Sequence, residues 1–109
     1  MLINVGRKRY EASSARDSVH NYYEQMVMEQ ALRASDRCVA DANFLADVAC
    51  VALNRLPPRY VRHDVDMTFF LTPEELEAMV DRVAHAVNHA LDYVQSRARD
   101  DASEQPKPL

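Results

Sequence analysis

Glycine is almost absent: Gly6 stands alone in 109 residues. Phosphate-cradling loops of the P-loop or dinucleotide-fold kind need several glycines, so neither is expected. Cysteine is scarce as well. Cys38 and Cys50 form no C-x-x-C pair, which leaves reduced thiols and no zinc ribbon as the expectation. Positive charge is in deficit: 13 Lys and Arg against 17 Asp and Glu leave a net charge of −4. A general nucleic-acid binder shows a broad basic face, so direct DNA binding is not expected. Long apolar runs are missing too. The longest, Val48 to Leu53, is far short of the ~20 residues that span a bilayer. The opening MLINVGRKRYEASS has no apolar stretch of secretory length, and a cytoplasmic protein without a membrane partner is expected.

What is present is helical periodicity around one sharp break. Length alone argues for a single domain with a modest core, for which oligomerisation is a natural supplement. Residues 1–15 form a basic arm carrying Arg7, Lys8 and Arg9. The arm is either a solvated terminus or a segment that lays charge near a phosphate. Residues 16–99 form the helical domain, and the polar, proline-containing residues 100–109 are expected to be disordered.

Three main helices are legible. The first spans about Ser18 to Ala34, capped by Asp17 or Ser18, with Val19, Tyr22, Tyr23, Met26, Val27 and Ala31 on one face. The second spans about Asp41 to Asn54, capped by Asp41. It buries Phe44, Leu45, Val48, Val51 and Ala52, and Ala40, Ala42, Ala46 and Ala49 keep it thin. Asp47 in its middle is either exposed or paired with an arginine. The third starts at a capping box, Thr72-Pro73-Glu74-Glu75, with Leu71 and Leu76 as its staple. Its stripe runs from Leu76 to Val94, so a helix from Pro73 to Arg97 is about 37 Å long. That exceeds twice the ~13 Å radius of gyration of a compact 100-residue domain, and part of the stripe is therefore expected to pack on a second subunit. The fold class expected is therefore all-α, three main helices plus one extended segment, as a homodimer.

The break is Leu56-Pro57-Pro58-Arg59. Proline lacks a donor, fixes φ and drives the preceding residue out of the helical region, so an extended elbow is expected. Beyond it Val61, His63, Val65, Met67 and Phe69 alternate with Arg62, Asp64, Asp66 and Thr68. That is the period of a half-buried strand, with no second convincing strand to pair it. The segment then either lies against helices or pairs with its copy in a dimer.

The elbow is dense in recognition groups. Arginine makes paired hydrogen bonds to a guanine edge or stacks on a base, and Tyr60 offers a stacking face. Arg59, Arg62 and protonated His63 can neutralise phosphates, and Asp64 or Asp66 can accept from guanine N–H groups. The alternative is a structural ion-pair cluster, Arg62 with Asp64 and Asp66 and Arg59 with Asp47. No nucleophile, base and orienter come together in a recognisable motif, so no enzyme is expected. His85 and His89 stand one helical turn apart, but the intervening Ala86-Val87-Asn88 lacks the glutamate of a metalloprotease motif, and a solvated face is the reading. Cys50, within an apolar helix, is expected to be a small buried hydrophobe.

The run Asp47-Val48, Ala52-Leu53-Asn54 and Leu56-Pro57-Pro58-Arg59-Tyr60-Val61 resembles the bacterial late-competence ComFB family. Asn21-Tyr22-Tyr23-Glu24 with Val27 and Glu29 resembles that family's first helix, and the likeness spans about Ser18 to Val94. The resemblance implies a dimeric helical receptor for a cyclic dinucleotide second messenger, most directly cyclic di-GMP, acting through a partner protein in competence, motility or surface behaviour. The ligand-binding set it suggests, joined to the elbow chemistry, is Asn54, Arg59, Tyr60, Arg62, His63, Asp64 and Asp66. Some family members bind zinc through a cysteine cluster just before the residues matching Asp47-Val48. This chain has Ala42, Asn43, Phe44 and Leu45 there, so neither zinc nor another cofactor is expected. A dimeric protein-interaction adaptor without a small ligand is the alternative.

Overall fold

The computed structural model describes residues 15–16 and 18–104; the basic arm, apart from Ala15, and residues 105–109 lie outside them. Among the described residues the chain is predominantly helical, with five helices and two very short strands. The order is β1 (His20–Asn21), α1 (Tyr23–Ala34), α2 (Asp36–Ala40), α3 (Ala42–Asn54), β2 (Tyr60–Val61), α4 (Asp64–Phe70) and α5 (Pro73–Glu104).

Capping explains most of the helix starts. Ser35, extended at φ −144°, accepts the Cys38 N–H on its Oγ and opens α2. Asp41 Oδ1 accepts from Asn43 N at 3.0 Å and Phe44 N at 3.1 Å, satisfying two of the orphan donors of α3. Thr72 Oγ1 accepts from Glu75 N at 3.1 Å at the head of α5. At 32 residues, α5 is about 48 Å long. Its helical backbone runs through residues 100–104, where a disordered tail was expected.

α1, α3 and α5 pack on one another around a single core. Tyr23, Val27 and Ala31 come from α1, Phe44, Val48, Ala49 and Ala52 from α3, and Met79, Val83, Ala86, Val87 and Ala90 from α5. Alanines on α3 and α5 let those two helices approach closely, but the small residues used are Ala49, Ala52, Ala86 and Ala90. Ala40, Ala42 and Ala46 face solvent. The α5 stripe is covered unevenly. Val83, Val87 and Ala90 are buried within one chain, while Leu76, the expected staple residue, and Val80 are exposed.

Three expectations are corrected. The first helix starts at Tyr23, because His20 and Asn21 turn aside to pair antiparallel with Val61 and Tyr60. The extended segment ends at His63, and Asp64–Phe70 is a helix. Only Met67 of that segment's alternating apolar set is buried; Val65 and Phe69 are exposed. Asp64 and Asp66 sit in the first turn, where carboxylates complement the helix N-terminus, and this local term competes with a strand ladder that has only two rungs. Cys38 is the buried thiol, and Cys50 is exposed, contrary to expectation.

Candidate functional site

The elbow is held from three directions. Leu56 is buried beneath it. Tyr22 N donates to Arg59 O at 2.6 Å. Asn21, only 9 % exposed, accepts the Arg59 N–H on its Oδ1 at 3.0 Å and the Tyr23 N–H on the same atom at 3.2 Å. One amide oxygen thus takes the first N–H of α1 and anchors the residue after the double proline. Proline offers no N–H, so Arg59 is the first residue past Leu56 that can be tied by its backbone donor.

Two clefts lie on either side of Pro57. The first, about 290 Å³, runs between the elbow and the start of α5. Pro57, Pro58, Leu71 and Met79 supply apolar surface, and Arg59, Glu75 and Arg82 supply charge. The second, about 280 Å³, contains Arg55, Asp81 and His85 and again Pro57 and Arg82. Arg82 therefore borders both. An apolar slot rimmed by guanidinium groups can take the face of a flat ring while pairing with phosphate oxygens.

Of the seven residues expected from the sequence, Arg59 alone lines these clefts. Tyr60 is exposed on β2. Arg62 and His63 are exposed in the link to α4, with His63 at its N-cap. Asn54 seals the end of α3, its Nδ2 donating to Cys50 O at 3.0 Å. Asp64 faces a separate cleft of about 290 Å³ with Tyr22, Gln25 and Glu29, while Asp66 is exposed in the first turn of α4.

The ion pairs weighed as a structural alternative do not form. Among the described residues the one salt bridge joins His20 Nε2 to Asp64 Oδ1. The Asp64 hydrogen bond raises the His20 pKa above its ordinary 6.5. Asp47 lies in a groove between α3 and α5 beside Cys50, Tyr93 and Arg97, away from Arg59. His89 stacks on Tyr93 at 6.1 Å, and among the described residues no three of His, Cys, Asp or Glu converge as a metal set.

Sequence reasoning missed Asn21, Arg82, Glu75 and His20 as site residues. Arg82 sits two turns into α5 on a polar position of a clear helical stripe, so only its tertiary placement singles it out. Asn21 carried one signal: an amide where a first helical turn was expected, a residue type that favours caps over helix interiors.

No helix among the described residues is long and apolar enough to cross a membrane. Comparison with curated proteins and with solved structures gives no match. The family model described as late competence development protein ComFB matches residues 20–98, most of the chain and all of the elbow with both its clefts. The chain belongs to the ComFB family.

Proposed function

We propose that this chain is a non-enzymatic cytoplasmic receptor for a cyclic dinucleotide second messenger, cyclic di-GMP first among them, working as a homodimer and acting through a partner protein. The observation that supports it is the cleft between the elbow and α5. It joins apolar walls to Arg59 and Arg82, the pairing of chemistries that a base joined to a phosphodiester requires. A twofold ligand suits a twofold assembly, because an isologous interface presents each group twice. Exposed Leu76, Val80 and Tyr93 on α5 offer apolar surface for that assembly. Neither a metal nor another cofactor is required. Isothermal titration against a panel of cyclic and linear nucleotides tests the reading, with saturable binding of cyclic di-GMP as the expected result. Absence of binding to every cyclic dinucleotide contradicts it.

A second reading, a dimeric adaptor without a small ligand, is favoured by α4. Phe69 and Phe70 are 79 % and 75 % exposed, and neighbouring aromatic side chains left in water are characteristic of protein contact surfaces. The same titration separates the two.

A further inference from the structure

The cap at the head of α5 is half formed. Thr72 Oγ1 takes the Glu75 N–H at 3.1 Å. The reciprocal bond of a capping box, from the Thr72 N–H to the Glu75 carboxylate, is missing among the described residues, and that carboxylate joins no ion pair there. It lines the elbow cleft instead, in company with Arg59 and Arg82 and beside the apolar surface of Pro57 and Met79.

A carboxylate only accepts hydrogen bonds. The Watson–Crick edge of guanine presents two neighbouring donors, N1–H and N2–H, which one carboxylate can accept together. Adenine presents one donor, N6–H, beside a bare N1 lone pair that faces a carboxylate repulsively. We propose that Glu75 is the base-reading residue of this cleft and makes it selective for guanine over adenine, while Arg59 and Arg82 take the phosphodiester. The proposal rests on the cyclic-dinucleotide reading of the site. A cleft of about 290 Å³ falls just short of the roughly 300 Å³ at which small-molecule sites begin, so it takes one base and leaves the second outside it.

The test is titration of the full chain and of its Glu75→Gln variant with cyclic di-GMP and cyclic di-AMP. Glutamine keeps the length and leaves the Thr72 bond, which uses the backbone, in place. It also presents a donor beside an acceptor, the pattern that matches adenine. The unmodified chain is expected to prefer cyclic di-GMP by roughly tenfold or more, because hydrogen bonds to a charged acceptor are strong and a mismatched edge leaves them unmade. Glu75→Gln should erase most of that preference, weakening cyclic di-GMP and strengthening cyclic di-AMP, with the melting temperature held. Arg82→Ala should weaken both ligands alike. Equal affinity of the unmodified chain for the two ligands, or an unchanged preference in Glu75→Gln, overturns the role of Glu75 and leaves the receptor reading standing. Failure of the unmodified chain to bind either ligand overturns both.

Discussion

Asn21 Oδ1 accepts the backbone N–H of Arg59 at 3.0 Å, joining positions 38 residues apart in the chain. The same oxygen accepts the first N–H of α1, from Tyr23, so one side chain links the start of that helix to the elbow. Asn21→Ala strands two backbone donors in a nearly buried place. The expected cost is about 1–3 kcal/mol in denaturant unfolding, the penalty of unsatisfied buried groups. Ligand affinity should also fall, although Asn21 lines neither elbow cleft. A variant as stable as the parent would show that the clasp contributes nothing.

The His20–Asp64 pair ties β1 to the first turn of α4. Asp64 raises the His20 pKa in the folded chain. The pair's stabilisation is therefore fully present below the unfolded pKa of about 6.5 and is lost as pH rises through the higher folded value. The stability gap between the parent and His20→Gln should shrink between near-neutral and alkaline pH. Titration of His20 followed by NMR should give a midpoint above 6.5 that drops in Asp64→Asn. A midpoint unaffected by Asp64→Asn would contradict the pairing.

Placement of the three long helices was largely legible in the sequence because its signals are local, whereas α2 and α4 were read as a break and an extended segment. Asp41, Thr72-Pro73 and Pro57-Pro58 each act within one turn, and Val83, Val87 and Ala90 repeat at helical spacing. The part that was not legible is long-range. His20 and Asp64 are 44 residues apart, and nothing near either announces the other. The run from Val61 to Phe69 alternates with a strand's period, yet only Met67 reaches the core from α4. No partner strand was legible for that run, and the two-residue β1 pairs only with Tyr60 and Val61, so the residues from Asp64 onward take the helix that local bonds alone can satisfy. Arg59 and Arg62 were both expected at the ligand; with the strand ending at Val61, Arg62 is exposed in the link to α4, and of the two only Arg59 lines an elbow cleft, beside Arg82.

Val80 and Val87 separate assembly from folding. Val87 is fully buried within one chain, whereas Val80 is about half exposed on α5. Val87→Asp should unfold the domain, since an unpaired buried charge is costly. Val80→Asp should leave a folded chain of half the mass in sedimentation at micromolar concentration. A parent chain that sediments as a monomer would contradict the dimer.

In the proposed receptor the elbow, anchored by Asn21, binds the cyclic dinucleotide. Isothermal titration of cyclic di-GMP into the parent, Arg59→Ala and a variant neutralised at Arg7, Lys8 and Arg9 tests it most directly. Arg59→Ala should cost about 2 kcal/mol, roughly thirtyfold in affinity, the worth of a charged hydrogen bond. Neutralising the arm should cost less and mainly flatten the salt dependence. Binding by Arg59→Ala equal to the parent's, or no binding by the parent itself, would contradict the account.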